Sequence, residues 1–362
     1  MKHAGITSTH VLTPVESKQM IDTFLAPLLQ QLTEDARRIS PHYETLWQDI
    51  QVLYHAGGKR LRSYMTLLTY EAFSTASPDT IMPAAAAQEL LHSAMLIHDD
   101  IIDRDDIRYG VKNVASQYMD HYEELIEDTV DRQHYANSAA MLAGDLLISQ
   151  AYILIAETKV EPSLVLASQR LLAQAMFRVI GGELLDTEAV FRGADSANPL
   201  LIAEEKTASY SFVTPFLIGA TLSQASPIQR NILEKLGEQL GIAYQLRDDI
   251  LGVFGNEDVT GKSTDGDLKE GKQTFLLEEF QKLAIDTQHD EFHTLFGRHD
   301  VTDADIVRMK ALLIESGAKD AVEALILAYQ EHAHILVESL DIDEHHHVAF
   351  RQLIDLCVKR EK

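Results

Sequence analysis

Three observations predict an all-α fold. Apolar residues recur at spacings of three and four along almost the whole chain, strand-like alternation is nearly absent, and the nine prolines mostly stand between apolar runs. Five of those prolines follow a residue suited to capping, at Ser40-Pro41, Ser77-Pro78, Glu161-Pro162, Asn198-Pro199 and Ser226-Pro227. Each reads as a helix start, with proline at the first helical position, where its missing N–H costs nothing. About a dozen helices are expected, with no compositional break that would divide the 362 residues in two.

Composition narrows the class further. A hydrophobic fraction of 46% beside 24% charged residues belongs to a globular chain able to bury a sizeable core. The single cysteine, Cys357, excludes an internal disulfide and fits a reducing cytoplasm. No signal-like apolar core opens the chain, and no uninterrupted apolar run reaches the roughly 20 residues of a membrane span, so an unanchored cytoplasmic protein is expected. A net charge of −25 argues against nucleic acid, which needs a basic face. Any anionic ligand must be received by a local patch of metal, Lys and Arg.

In chain order, the first helix is expected from Pro14 to Arg38, with Met20, Phe24 and Leu28 on its apolar face. The next breaks at Gly57-Gly58, after which Lys59, Arg60 and Arg62 open another helix. Lys59 and Arg62, three apart, can point the same way. Cations at a helix start are slightly unfavourable with the dipole, so either an anion is expected there or the pattern is a C-cap followed by solvated charges.

The following run, AAAAQELLHSAMLIH, is apolar on all sides and marks a central helix from about Ile81 to Asp100. His92 lies inside it, a core histidine unless a ligand lies alongside. The run ends in DDIID, where Asp99 and Asp103, four apart, share a face with Asp100 beside them. Such carboxylates repel unless a cation sits among them, so this is either a hard-metal site or an exposed helix end. An acidic stretch near 119–137 is expected to be a surface insertion that adds little to the core.

Two very apolar helices come next, the second ending in VIGGELLDTE. Asp145, Glu183 and Asp186 are acids within these buried patterns and read as capping or paired structural residues. In EEKTASYSFVTPFLIGATL, Lys206 and Thr207 open an apolar helix containing Pro215; an inward-pointing lysine there would need an anionic partner. A second carboxylate cluster stands about 150 residues after the first: Asp248 and Asp249 end an apolar run, and Asp265 and Asp267 follow in a Gly-rich, Lys-bearing loop. Oxygen ligands without Cys or His suit Mg2+ shared with substrate phosphates, so the two clusters together suggest a site for a Mg-bound diphosphate. Three apolar helices close the chain, and the consecutive His345, His346 and His347 read as surface.

Assembled in order, GGKRLR, DDIID, EEKTASYS and QLRDDILG with VTGK and DLKEGKQT, these motifs resemble the trans-isoprenyl diphosphate synthases of the polyprenyl synthetase family over nearly the whole chain. The resemblance implies one isoprenoid synthase domain across 1–362: a single large helical barrel around a central cavity, with two Asp-rich ends facing each other. It implies condensation of isopentenyl diphosphate with an allylic diphosphate, and Mg2+ held by Asp99, Asp100 and Asp103 on one side and Asp248, Asp249 and Asp267 on the other. Arg108, Lys206, Lys262 and Lys272 would hold the allylic diphosphate, and Lys59, Arg62 and His92 the isopentenyl diphosphate. Thr207 and Gln245 would place their dipoles near the allylic cation, with Lys206 also counted in the catalytic set. A homodimer is implied as well.

Three departures from the family pattern stand out. Tyr109 follows Arg108 where a second arginine is usual, Glu183 replaces a glutamine, and Gly252 stands where a third Asp of the second motif is common. The growing chain is expected to run down the helix before Asp99, past Met95 and Ala94, then Leu91, then Ala87, since one turn of about 5.4 Å is close to an isoprene unit. No aromatic blocks these turns, which points to twenty carbons or more. A class I terpene cyclase would leave GGKRLR and the DLKEGK lysines unexplained. A regulatory subunit would be expected to have lost an Asp-rich motif.

Overall fold

The computed structural model describes residues 11–192, 198–255, 264–298 and 300–359. Thr13 forms a capping box with Glu16 and opens α1, Pro14–Ile39. Its buried stripe is Ile21, Leu25, Leu29 and Ala36; the expected face of Met20, Phe24 and Leu28 lies beside it, half-buried. A shift of one residue turns a helix by about 100°, so the two stripes are neighbours. Ser40 caps α2, Pro41–Ala56, which stops at Gly57 before α3, Leu61–Phe73. A 3-10 turn, Pro78–Ile81, leads into α4, Met82–Ile102, whose Ala84 to Leu91 segment is buried on every side.

A two-strand hairpin follows, β1 (Ile107–Arg108) pairing antiparallel with β2 (Val111–Lys112). Tyr109 and Gly110 both have positive φ, 55° and 77°, as a two-residue type I′ turn requires. Helix α5, Val114–His121, and α6, Thr129–Ala156, take up the stretch expected to be a surface insertion. That stretch reaches the core: Tyr122 and Ala136 are buried, and Tyr122 packs against Tyr118 and Tyr135. Aromatic side chains thus anchor a segment whose acidic residues remain outside.

Among the described residues, α6 is one helix long and apolar enough to cross a membrane, with 44% of its most apolar window buried inside the protein. Ala136, Ala140 and Ala143 are buried, while Met141, Leu142 and Ile153 are exposed. Helix α7, Pro162–Arg192, packs beside it.

From Asn198, which caps α8 (Pro199–Ile202), the helix continues through a π-helical stretch, Ala203–Val213, into α9, Thr214–Leu222. Lys206 and Thr207 therefore lie within a continuous helix rather than opening one. Such wide turns are rare and concentrate at functional sites. Ser226 caps α10, Pro227–Phe254, which ends in the second Asp-rich motif. The remaining helices are α11 (Gly266–Glu270), α12 (Phe275–Leu283), α13 (Asp286–His293), α14 (Asp303–Glu315), α15 (Ala318–Glu338) and α16 (Glu344–Val358). In α16, His346 is buried instead of lying at the surface with His345, since adjacent helical residues face different ways.

Two large apolar cores result among the described residues, one built mainly by α1 to α6 and the other by α9 to α16. Helices α3 and α9 contribute to both: Tyr64 and Phe216 to one, Leu67 and Ile218 to the other. Where α7 and α10 clasp the π-helical stretch, glycines permit close approach. A Cβ on Gly182 would lie 2.3 Å from the backbone nitrogen of Lys206, and one on Gly241 2.4 Å from Cα of Ala208.

The neighbouring glycines should therefore respond oppositely to alanine. Gly182→Ala must push backbone away and should cost about 1–3 kcal/mol. Gly181→Ala meets nothing within 4 Å and should stabilise by up to about 1 kcal/mol through helix propensity. Urea unfolding of both variants checks this; equal shifts would mean that the close packing at Gly182 does not matter.

Candidate active site

The ends of α4, α7 and α10 and the π-helical stretch surround a cavity of about 740 Å³. Carboxylates and lysines line one part of it, and Met95, Ile148, Met176 and Val179 another. One oxygen each from Asp99, Asp103 and Glu183 lie within 4.8 Å of one another. Three carboxylates so close require cations. The protein supplies some itself: Lys206 lies 2.7 Å from Asp186, 2.9 Å from Glu183 and 3.6 Å from Asp99, and Lys272 lies 3.0 Å from Asp103. Burial opposes the charge of Lys206, but Asp186, Asp99, Glu183 and Asp103 more than offset it and hold its pKa well above the ordinary value. Burial also pushes the Glu183 carboxyl up, with Lys206 opposing.

The all-oxygen donor set fits a hard divalent cation such as Mg2+. Asp100, however, is not part of it. It is buried, and Arg108 donates from Nε to its Oδ1 at 2.7 Å. Adjacent residues on a helix point about 100° apart, so Asp100 cannot share the face of Asp99 and Asp103. Burial lifts its carboxyl to about 6 despite the guanidinium. The hairpin turn returns Arg108 to this point, where it also reaches Asp99 at 3.2 Å and Asp105 at 3.3 Å.

The second Asp-rich end divides the same way. Asp248, Asp249 and Asp267 all line the cavity. Both oxygens of Asp249 accept hydrogen bonds, from Gln245 Nε2 at 2.9 Å and the Phe275 amide at 3.1 Å, and burial pushes its carboxyl up to about 7. It serves as a strut between α10 and α12 rather than an open ligand. The chain of contacts continues from Thr207, which donates to Gln245 Oε1 at 2.6 Å. Lys262 lies outside the described residues.

On the basic side, Arg62 lines the cavity and donates to Ser211 Oγ at 2.7 Å, and its Nε has no protein partner. His92 also lines the cavity, with Nδ1 3.4 Å from the Tyr210 hydroxyl. Burial, and then the positive field of Arg62, Arg108 and Arg60, hold its pKa well below the ordinary value, so its ring is neutral. Lys59 is exposed and does not line the cavity. Arg60 is inward: Asp22 accepts from its Nε at 2.9 Å and the carbonyl of Tyr54 from its Nη2 at 2.8 Å, which pins the Gly57-Gly58 loop. Tyr109 lines the cavity and packs on Gly57, where a Cβ would come within 2.6 Å of its ring.

Of the chain-length positions, only Met95 reaches the cavity. Ala94, Leu91 and Ala87 are buried in the core, on the face of α4 that packs into the same cluster as α6. Glu183 and Asp186, expected to be structural only, also line the cavity. Their signal was the i, i+3 spacing directly after a Gly-Gly pair, and both side chains face Lys206.

An α-helical barrel with opposed carboxylate ends, resident lysines and an apolar interior defines an enzyme class that handles diphosphates on hydrocarbon chains. The chain matches the Polyprenyl synthetase family over residues 44–313 and belongs to that family; it is a trans-prenyltransferase. It is 31% identical to a geranylgeranyl diphosphate synthase of Methanosarcina mazei, covering 88% of this chain and 90% of that one. It is also 31% identical to a geranylfarnesyl diphosphate synthase of Aeropyrum pernix, covering 86% and 92%. Its structure is similar to the crystal structure of a geranylgeranyl pyrophosphate synthase from Corynebacterium glutamicum complexed with isoprenyl diphosphate and magnesium: TM-score 0.89, 26% identity, 96% and 100% coverage.

Removing Lys206 exposes the repulsion it now cancels. Lys206→Met should cost about 3 kcal/mol at neutral pH, as expected for an orphaned buried charge. The carboxylates it leaves would have folded-state pKa values raised above their unfolded ones, so the folded state binds more protons and the deficit shrinks as pH falls. Chemical denaturation at pH 7.5 and 5.5 reads this; a deficit independent of pH would mean that Lys206 contributes by packing alone.

Proposed function

We propose that this enzyme condenses isopentenyl diphosphate with an allylic diphosphate, head to tail, to an all-trans polyprenyl diphosphate of twenty carbons or more, with Mg2+ as cofactor. The observation that carries this reading is the placement of Asp99, Asp103, Glu183, Asp248 and Asp267, with Lys206 and Lys272 among them, around one cavity that also has an apolar lining. Asp99 and Asp103, with Asp248 and Asp267 opposite, would hold the metal. The metal held by these carboxylates would supply positive charge to a bound diphosphate.

The chain's own residues account for the rest. Lys206 and Lys272 stabilise negative charge on the departing diphosphate, a contribution that grows as the bond breaks. The carbonyl oxygen of Gln245, oriented by Thr207 and Asp249, presents a negative dipole to the allylic cation. Neutral His92 and the cationic Arg62 both line the cavity and suit the isopentenyl diphosphate. The apolar lining keeps water from the cation. Product length is set by Met95 on α4 and Met176 on α7, unbranched side chains that can move aside for a growing chain. The relatives named for geranylgeranyl and geranylfarnesyl products support the same range.

A homodimer in the cytoplasm completes the reading. Phe177, Ile180, Leu184 and Phe191 form an exposed apolar stripe on α7, and Met141, Leu142 and Ile153 are exposed on α6. A second copy covering this stripe accounts for it better than solvent does.

Incubation with labelled isopentenyl diphosphate, Mg2+ and each allylic starter in turn should give a product ladder ending at one length. No incorporation with any starter would favour a regulatory subunit instead. Asp99→Ala should lower turnover at least about a thousandfold, roughly 4 kcal/mol, without loss of fold by circular dichroism. Near-normal turnover would remove Asp99 from the site. Met95→Phe should shorten the product, whereas Ala94→Phe should destabilise the protein by overpacking; product shortened only by the latter would place the tube on the other face of α4. Sedimentation should give twice the chain mass, and Phe177→Glu with Leu184→Glu a monomer.

A further inference from the structure

Cations open α3 at the end where a helix is itself positive. Lys59, Arg60 and Arg62 stand there, and Arg60, at the cap position, has φ 54° and makes no capping hydrogen bond with its side chain. Such an end calls for an anion, and a different helix supplies one. Glu89 of α4 is 3% exposed, and its Oε1 accepts from the Ser63 amide, in the first turn of α3, at 3.1 Å. The Ser63 hydroxyl donates to the Ala85 carbonyl at 2.8 Å, so two bonds fasten α3 to α4 at this point.

A carboxylate buried this deeply needs cations nearby as well as a hydrogen bond. Arg62 and Arg60 provide them. Burial opposes the charge of Arg62, and Tyr210, Glu89, Tyr244 and Tyr109 raise its pKa against that. The three tyrosines are neutral phenols near pH 7, so Glu89 supplies the standing negative charge among them. Glu89 acts on Arg60 in the same direction, beside Tyr54 and Asp22. Arg62 lines the cavity, as does His92, three residues after Glu89 on α4, whereas Glu89 does not.

We propose that Glu89 is a resident counter-ion of the isopentenyl diphosphate pocket: it takes the place of a substrate anion in the positive field of Arg60 and Arg62 while the pocket is empty, and so limits how tightly the pocket holds a diphosphate. This rests on the synthase reading above and deepens it. Coulomb's law gives the two effects opposite signs. In the empty protein Glu89 stabilises the buried cations. In the loaded protein its charge repels the bound diphosphate, which favours release.

The alternative is that Glu89 only caps α3. Glu89→Gln separates the two, because the amide oxygen can still accept from Ser63 but carries no charge. Isothermal titration calorimetry with isopentenyl diphosphate in EDTA reads the pocket apart from the metal site. A cap alone predicts unchanged affinity. A counter-ion predicts that Glu89→Gln binds isopentenyl diphosphate about tenfold tighter and, without ligand, melts at a lower temperature than the parent. Glu89→Asp, which keeps the charge, should bind like the parent. Adding Arg62→Met to Glu89→Gln should raise the ligand-free melting temperature again, since it removes uncompensated positive charge.

Folded Glu89→Gln that binds isopentenyl diphosphate like the parent, or more weakly, would overturn the proposal. Should Glu89→Gln not fold alone, the double variant with Arg62→Met should; a double variant that is unfolded, or less stable than Glu89→Gln, would overturn it too. If the parent binds no isopentenyl diphosphate with or without Mg2+, the synthase reading falls and this proposal with it; the other failures leave that reading standing.

Discussion

Repulsion between converging carboxylates governs the architecture of this protein. Asp99, Asp103 and Glu183 meet with oxygens within 4.8 Å, and Asp186 stands close by. At such distances like charges cannot all remain ionised without cations among them. Lys206 from the π-helical stretch, Lys272 from beyond α11 and Arg108 from the hairpin turn are brought from separate parts of the chain to this one place. A surface carrying net charge −25 could not attract a diphosphate by its overall field. The local balance of fixed lysines and carboxylates makes the difference.

That balance depends on backbones approaching more closely than ordinary side chains allow. Lys206 reaches Glu183 because α7 presents Gly182 to the backbone of Lys206 itself. Thr207 reaches Gln245 because α10 presents Gly241 to Ala208. The wide π-helical turns lie at this junction, held from both sides. Local structure that is costly in isolation is therefore kept where it places a lysine and a threonine on the same cavity.

Much of this was legible in the sequence, for identifiable reasons. Helix starts were marked by capping residues before proline, and Ser40, Ser77, Asn198 and Ser226 all accept the expected backbone hydrogen bonds. The Asp-rich ends were marked by acids closing long apolar runs. What could not be read was the direction of a side chain within a run that is apolar on all sides. Helix α4 offers no polar face to orient it, so Ala94, Leu91 and Ala87 could be set against the cavity on paper when they lie in the core. Glu183 and Asp186 were visible as acids, but their role depends on Lys206, a neighbour some twenty residues away that only the packing of α7 reveals.

The paired aspartates show how helix geometry divides labour. Asp99-Asp100 and Asp248-Asp249 look in sequence like doubled ligands, yet consecutive positions on a helix face about 100° apart. In each pair the first residue lines the cavity and the second is buried, Asp100 away from the cavity and Asp249 at its wall. Asp100 fastens α4 to the hairpin through Arg108, and Asp249 fastens α10 to α12 through the Phe275 amide while orienting Gln245. Burial raises the second carboxyl in both cases, to about 6 and about 7. The doubled motif is therefore a ligand joined to its own support. Substituting Asp100 would move Asp99 without touching the cation site directly, which is how a residue pointing away from a cavity can still govern what happens inside it.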